Sequence, residues 1–367
     1  MIIKKIYLGR LAIPLKTPFV TALRRVEAMD ELMVFIETGD GRVGHGEAPP
    51  TAAITGDTIE SMTAAMQIMA PMLIERDIET DFADILNLVH NSIPGCTSGK
   101  AALEIALYDL WAQSRNEPLF RALGGVAPHL RTGLTVSIGS VEKMVGDAVK
   151  AVSAGFDHLK IKVGHNAEED VERLSAIRAA VGPQVVISVD ANQGWSVNEA
   201  IAAMNRLESA GLEFDYLEQP VKACDLEGLR TVRRAIKTPV LADEAVFAPE
   251  DALRLLEYDA ADFINIKLMK SAGISRALRI AEVAAEYDAR CMIGVMLEGP
   301  VSVSAAASFA ASRPEIITRF DLDGPSLASI NPMRGGAKFE GPDIFLSEQP
   351  GLGIDGVDGV TITREFA

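Results

Sequence analysis

The sequence has few cysteines, no long apolar run and a shortage of basic residues, and each scarcity excludes a class of protein. Its three cysteines, Cys96, Cys224 and Cys291, are odd in number and far apart, so they indicate neither a disulfide framework nor a zinc site. No apolar stretch reaches the roughly 18 residues expected of a membrane-spanning helix. The net charge of −16 argues against nucleic acid or an anionic membrane surface as a partner. The start, MIIKKIYLGRL, lacks the apolar run of a signal peptide, so a cytoplasmic location is expected.

What the sequence does contain is a regular alternation of strands and helices. Eight short apolar segments read as strands: LTVSIG, HLKIKV, VVISVD, FDYLEQP, PVLADE, DFINIK, CMIGVM and ITRFD. Helical segments separate them, such as residues 170–181, which end at Gly182. This alternation predicts an α/β fold with a parallel sheet, and eight units predict a (β/α)₈ TIM-type barrel.

The barrel is expected to occupy only the middle of the chain. Residues 1–124 predict an α+β capping domain, 125–339 the catalytic barrel, and 340–367 a C-terminal segment that packs back on the capping domain. In the capping domain, alternating patterns predict strands near 6–15, 32–37 and 43–47. The segment after the first strand, KTPFVTALRRVEA (16–28), and the segment after the third, APPTAAITGDT (48–58), predict irregular loops. Asp57 or Thr58 is the expected N-cap of the next helix.

Five charged residues occupy equivalent places at the ends of successive predicted strands. Intervals of 24 to 28 residues, one βα unit each, separate the series Lys162, Asp190, Glu218, Asp243 and Lys267. Because neighbouring strands lie about 4.8 Å apart, the three carboxylates converge and repel one another unless a cation lies among them. Oxygen ligands favour Mg²⁺, with Mn²⁺ as a substitute. The alternative is that each acid caps a helix or forms a salt bridge.

The lysines suggest proton transfer. Lys160 and Lys162 alternate with Ile161 and therefore share one face of a strand, while Lys267 ends a strand across the barrel. A neutral lysine on one side would remove an α-proton, and a protonated lysine on the other would deliver one, through an enediolate. Mg²⁺ and Lys160 would lower the pKa of the base, Lys162. The alternatives are structural salt bridges, a Schiff-base aldolase with Lys162 as nucleophile, and a non-catalytic binding protein.

These residues lie in recognisable motifs. The lysine pair KIK, VDANQGW, EQPV, ADEAVF and NIKLMKSAGI together resemble the muconate-lactonizing subgroup of the enolase superfamily, over essentially the whole chain. The resemblance supports Asp190, Glu218 and Asp243 as metal ligands and Lys162 and Lys267 as acid/base groups. The expected supporting residues are Lys160, an electrostatic neighbour that also contacts substrate, and the orienting groups Asn192, Gln219 and Glu244. No histidine lies on strand six or seven, so a site of the mandelate-racemase or sugar-acid-dehydratase type is not expected.

Two further features resemble dipeptide epimerases within that subgroup. Asp321 and Asp323, in RFDLD, match a DxD pair that would hold the ammonium of a dipeptide; the alternative is a surface turn. Arg24 matches an arginine that grips the side-chain carboxylate of a C-terminal glutamate; the alternative is a solvated loop arginine. Thr135 and Met296 are also expected to contact substrate. The strand-seven end, VMLEGP, departs from the subgroup pattern SM.E[ST], which leaves the exact dipeptide open.

The resemblance thus implies an isomerase. The expected activity is Mg²⁺-dependent epimerisation of the C-terminal residue of a dipeptide by two-base 1,1-proton transfer, with L-Ala-D/L-Glu as the leading substrate, derived from murein peptides. Other dipeptides, N-succinylamino acid racemisation, o-succinylbenzoate synthesis and cycloisomerisation remain alternatives. The expected partner is a small-molecule substrate, and the sequence leaves a homo-oligomer open.

Overall fold

A computed structural model describes residues 1–367 and confirms a parallel barrel preceded by a strand-rich domain. The N-terminal part contains three strands and four helices: β1 (Ile3–Val20), β2 (Arg25–Thr38), β3 (Val43–Ala48), α1 (Ile59–Leu73), α2 (Phe82–Asn91), α3 (Thr97–Ser114) and α4 (Leu119–Ala122).

The first two strands form a long hairpin that reaches over the barrel. The expectation of an irregular loop at 16–28 is wrong for most of that segment, because only residues 21–24 lie outside the strands. Phe19 pairs with Val26 across the hairpin, and buried Phe19 anchors it. The Thr21 hydroxyl accepts hydrogen bonds from the backbone N–H groups of Leu23 and Arg24, which closes the turn. The partners are only seven residues apart, but the charges and proline of this segment resemble a loop, so composition did not reveal the pairing.

Two features define the helices of the N-terminal part: the N-terminal cap of α1 and the packing of α3 on the sheet. Thr58 is the N-cap of α1 and forms a reciprocal capping box with Ser61, which selects Thr58 over Asp57. Helix α3 lies directly on β3, where a Cβ atom at Gly46 would come within 1.9 Å of the Ala102 carbonyl oxygen. Glycine is therefore required at this contact.

The barrel follows a short strand, β4 (His129–Arg131). Its eight parallel strands lie in chain order around the sheet: β5 (Leu134–Val136), β6 (His158–Lys162), β7 (Val186–Asp190), β8 (Leu217–Glu218), β9 (Val240–Ala242), β10 (Phe263–Ile266), β11 (Arg290–Gly294) and β12 (Ile317–Asp321). The helices between and after them are α5 (Val141–Ser153), α6 (Ala167–Val181), α7 (Val197–Ser209), α8 (Leu226–Ala235), α9 (Pro249–Glu257), α10 (Leu268–Ser271), α11 (Ile274–Glu286), α12 (Pro300–Ala311) and α13 (Gly324–Leu327).

The first and last barrel strands meet through a few hydrogen bonds. The Gly133 N–H donates to the Phe320 carbonyl at 3.2 Å, and the Leu322 N–H donates to the Thr132 hydroxyl at 2.8 Å. The last unit is abbreviated, because α13 has only four residues. The outer ring of helices therefore lacks a full-length eighth helix beside α5.

The chain ends in five short strands: β13 (Met333–Gly335), β14 (Lys338–Glu340), β15 (Asp343–Phe345), β16 (Ile354–Val357) and β17 (Thr361–Phe366). Strand β17 pairs with β1, and β15 pairs with β4. One cluster of 98 buried apolar residues runs through the hairpin sheet and the barrel, so the two parts share a core. The domain boundaries at 124 and 339 stay predictions. Among the helices, none combines the length and apolar character needed to traverse a bilayer.

Candidate active site

The two lysines of β6 point into the barrel. Lys160 and Lys162 are 2% and 6% exposed, and Ile161 is buried on the other face of the strand. The Lys160 ammonium lies 3.1 Å from Asp190 Oδ2, 2.7 Å from Glu218 Oε2 and 2.7 Å from Asp321 Oδ2. Burial opposes its charge, but these carboxylates outweigh burial and hold the pKa of Lys160 well above its usual range. Lys160 therefore remains a cation at the centre of the site.

Lys162 and Lys267 face one cavity from opposite sides. Lys162 ends the second of the eight strands, Lys267 directly follows the sixth, and both line the cavity at the barrel mouth. Lys162 Nζ lies 2.5 Å from Asp190 Oδ2, and Lys267 Nζ lies 2.8 Å from Asp243 Oδ2. Burial opposes the charge of Lys267, but Asp243 outweighs it and raises the pKa of that lysine. The predicted acid/base pair is thus brought together around one space.

The three predicted metal ligands lie on adjacent strands and are fully buried. Asp190 and Glu218 are register partners in neighbouring strands, and Asp243 directly follows the next strand. Burial, and then the repulsion of Asp190, raises the pKa of Glu218 to about 8. No three acidic groups are already arranged at metal-ligand distance; lysine ammonium groups contact all three carboxylates instead.

The charge and the donor atoms of these buried carboxylates test whether a divalent cation fits. A carboxyl group whose charge is disfavoured by burial and by a neighbouring anion gains most from an added cation. The donor set consists of carboxylate oxygens, which suits a hard ion such as Mg²⁺. The residues present therefore fit the expected ion.

The three predicted orienting residues hold different parts of the site. The Asn192 amide donates to Glu244 Oε1 at 3.2 Å, and Asn192 also lines the cavity. Gln219 accepts hydrogen bonds from the backbone N–H groups of Asp243 and Ala245, which fixes the turn that presents Asp243. Burial, and then Asp243, raises the pKa of Glu244 to about 7.

Sequence reasoning missed two residues that support the carboxylates. The Asn265 amide donates to Glu218 Oε1 at 2.8 Å. Lys270 is 1% exposed, lies 2.7 Å from Asp243 Oδ1 and donates to the Asn265 carbonyl at 3.0 Å. Alternation along β10 was a usable signal for Asn265, since it lies two residues before Lys267 on the same face. Lys270 had no such signal, because its place depends on the four-residue turn α10.

Asp321 and Asp323 both line the cavity and are buried, so they do not form a surface turn. Asp323 Oδ2 accepts a hydrogen bond from the Thr135 N–H at 2.7 Å, and Asp321 Oδ1 has no hydrogen-bond partner. Burial, and then Asp321, raises the pKa of Asp323 to about 6. Burial opposes the charge of Asp321, but Lys160 outweighs it and lowers the pKa of that acid. Two acids in one pocket favour a cationic group between them.

The capping domain closes the cavity from above. Arg24 lines it from the hairpin turn, and its guanidinium forms no ion pair or hydrogen bond with the protein. Met296 lines the opposite wall, where its N–H donates to Glu298 Oε1 at 2.7 Å. The cavity wall consists of Phe19, Thr21, Leu23, Arg24, Ala53 and Ile54 from the cap and Thr135, Lys162, Asn192, Lys267, Val295, Met296, Asp321 and Asp323 from the barrel.

Known proteins share this architecture over the whole chain. Residues 5–124 match the family described as mandelate racemase/muconate lactonizing enzyme, N-terminal domain, and residues 143–358 match the enolase C-terminal domain-like family. The chain is 48% identical over 359 residues to the L-Ala-D/L-Glu epimerase of Clostridium acetobutylicum, which covers 98% of this chain and 100% of the relative.

Solved structures agree. The substrate-liganded complex of the L-Ala-D/L-Glu epimerase from Bacillus subtilis matches with a TM-score of 0.95 and 43% identity, over 97% of this chain and 99% of the other. The dipeptide epimerase from Enterococcus faecalis, complexed with Mg and L-Leu-L-Tyr, matches with a TM-score of 0.93 and 38% identity, over 96% and 99%. The chain therefore belongs to the mandelate racemase/muconate lactonizing enzyme family of the enolase superfamily, and it is an isomerase.

Proposed function

We propose that this protein epimerises the C-terminal residue of a dipeptide with Mg²⁺ as cofactor, and that L-Ala-L-Glu and L-Ala-D-Glu are its preferred substrates. The observation that carries the proposal is the pair of buried lysines, Lys162 and Lys267, facing one cavity from opposite sides. Inversion at a carbon requires a proton to leave one face and another to arrive at the opposite face. This arrangement provides for both.

Each lysine acts on one epimer. With the α-carbon between them, one neutral lysine removes the α-proton and the other, as an ammonium, returns a proton to the opposite face. In the reverse direction the roles exchange. Lys160 stays charged and lies beside the carboxylates, where its positive charge favours an anionic substrate carboxylate. Asp190, Glu218 and Asp243 would hold Mg²⁺, which supplies Lewis-acid stabilisation of negative charge when bound.

Residues of opposite charge bind the two ends of the dipeptide. Asp321 and Asp323 bind the α-ammonium, since both are buried in the cavity wall and Asp321 Oδ1 lacks a protein partner. Arg24 binds the side-chain carboxylate of the C-terminal residue, because its guanidinium reaches the cavity and forms no direct ion pair with the protein. A bidentate guanidinium–carboxylate pair would satisfy both groups. Relatives named L-Ala-D/L-Glu epimerases support this choice. Murein turnover is the source that we propose for such peptides.

The test is α-deuterium incorporation in D₂O. The protein, supplied with Mg²⁺, is incubated with a panel of dipeptides, and exchange and epimerisation are followed by NMR. L-Ala-L-Glu should exchange faster than L-Ala-L-Leu, and N-succinylamino acids should exchange slowly because they carry no ammonium for Asp321 and Asp323. Absence of exchange with every dipeptide would rule out the proposed reaction. Mn²⁺ is expected to replace Mg²⁺ in the same assay.

A further inference from the structure

A second cavity lies beside the active site, between the hairpin arm and the outside of the barrel. Its volume is about 400 Å³, within the range of cavities that bind small molecules. Its walls come from β1, β5, α5, the α13 turn and β14. No residue predicted from the sequence to act on substrate lies in it except Thr135.

The cavity exists because the last barrel unit is abbreviated. Helix α5 packs against α6 on one side. On its other side lies only the four-residue helix α13, after which the chain runs on outside the barrel. A full-length eighth helix would occupy part of this space. Eight of the 18 residues that line this gap are hydrophobic, among them Leu134, Val136, Phe156 and Phe339.

The rim of the cavity is basic, although the protein as a whole carries a net charge of −16. Three lysines lie there, Lys16, Lys143 and Lys150, against a single acid, Asp147. Lys143 pairs with Asp147 at 2.5 Å, and Lys16 donates to the Ser326 carbonyl at 2.8 Å. The cavity therefore combines an apolar floor with excess positive charge at its edge.

This cavity and the active site share part of their walls, and we call the shared part the partition. Phe19 and Thr135 belong to the walls of both. The Thr135 N–H holds Asp323 at 2.7 Å, so the partition adjoins the acids that we assign to the substrate ammonium. The cavity thus lies next to the N-terminal residue of the proposed dipeptide.

We propose that Phe19 is a specificity-determining residue that closes a latent side-chain pocket and so restricts the N-terminal residue of the substrate to a small side chain. This inference rests on the proposed dipeptide epimerase activity. Removal of the ring would join the two cavities and let a larger N-terminal side chain extend onto Leu134 and Phe156. The apolar floor favours leucine or phenylalanine at that position, whereas the basic rim disfavours lysine.

The experiment compares kcat/KM for L-Ala-L-Glu, L-Leu-L-Glu and L-Lys-L-Glu in the wild type and in Phe19→Ala. The ratio of L-Leu-L-Glu to L-Ala-L-Glu should rise about tenfold or more in the variant, since a few methylene groups in an apolar pocket discriminate by this amount. The ratio of L-Lys-L-Glu to L-Ala-L-Glu should stay unchanged. Phe339→Ala is the matched control, because it enlarges the far end of the same cavity without opening the partition, and all ratios should equal those of the wild type.

Every other outcome overturns either this inference alone or the proposed function together with it. A wild type that exchanges L-Ala-L-Glu, together with a folded Phe19→Ala variant whose ratios do not change, would overturn the inference and leave the proposed function intact. Equal gains for the leucine and lysine substrates, or a gain in Phe339→Ala, would also overturn it. Absence of exchange with every dipeptide in the wild type would overturn the proposed function and this inference with it. If Phe19→Ala does not fold by circular dichroism, Phe19→Val provides the same comparison and should show a smaller gain.

Discussion

The barrel wall and the capping wall of the active site are built on different principles. On the barrel side the charged groups sit at strand ends, are buried and contact groups of opposite charge: Lys160, Lys162 and Lys267 contact acids directly. On the capping side Arg24 comes from a hairpin turn and forms no direct ion pair. Under the proposed function, the proton-transfer chemistry depends on rigid strands, while recognition of the C-terminal side chain depends on a hairpin turn that approaches from the cap.

The largest expected effect is on the barrel side. Glu218→Gln removes one of the three carboxylates proposed for Mg²⁺, so epimerisation should fall about a thousandfold, consistent with the several kcal/mol that a metal ion contributes. The measurement is the rate of α-deuterium incorporation into L-Ala-L-Glu. Glu340→Gln, on the exposed strand β14, is the matched control and should keep full activity. Wild-type rates in Glu218→Gln would show that this carboxylate does not serve the reaction.

The next effect concerns the ammonium pocket. Asp323→Asn should lower kcat/KM for L-Ala-L-Glu about 100-fold, because it leaves the substrate ammonium without one of its buried counter-charges. N-acetyl-L-Ala-L-Glu has no ammonium, so the wild type should turn it over slowly. The ratio of kcat/KM for L-Ala-L-Glu to that for the N-acetyl form should be smaller in Asp323→Asn than in the wild type. If kcat/KM falls by the same factor for both substrates in the variant, Asp323 does not bind the ammonium.

On the capping side the effect should depend on the substrate. Arg24→Met should lower kcat/KM for L-Ala-L-Glu about 30-fold, since a buried charge pair is lost, and should leave L-Ala-L-Leu nearly unchanged. Arg25→Met is the matched control, because Arg25 is exposed and pairs only with Glu27. Equal losses on the acidic and the apolar dipeptide would mean that Arg24 does not bind the side chain.

The smallest effect is one of pH. The pKa of Asp323 is raised to about 6, so lowering the pH through 6 protonates it and removes the negative charge that binds the ammonium. Between pH 6 and pH 5, kcat/KM should fall by up to about tenfold, the dependence expected for one essential ionised group of the free enzyme. This fall in kcat/KM at low pH should disappear in Asp323→Asn. If the same fall persists in the variant, another group is responsible for it.

The contrast between the two walls also explains what the sequence could predict. On the barrel side the strand period places Lys160 and Lys162 on one face, and the βα repeat aligns Asp190, Glu218 and Asp243. These are local regularities, and the structure brings all five side chains together. The roles assigned to them stay predictions until variants are measured.

The features that the sequence did not reveal depend on contacts between elements, which a local pattern does not contain. The hairpin is formed by pairing of Phe19 with Val26, in a segment whose charges and proline resemble a loop. Lys270 is stabilised by contacts that exist only once α10 has formed. The cavity behind Phe19 results from a helix that the last barrel unit largely lacks. Each of these features follows from how elements meet.

The central claim is that two lysines on opposite faces of one α-carbon perform the inversion. Lys162→Ala and Lys267→Ala should each be incubated in D₂O with L-Ala-L-Glu and, separately, with L-Ala-D-Glu. Both variants should lose epimerisation by about 10³-fold or more, yet each should still exchange the α-proton of one epimer, and the two variants should act on different epimers. Epimerisation at the wild-type rate in either variant, or exchange of the same epimer by both, would contradict the two-base account.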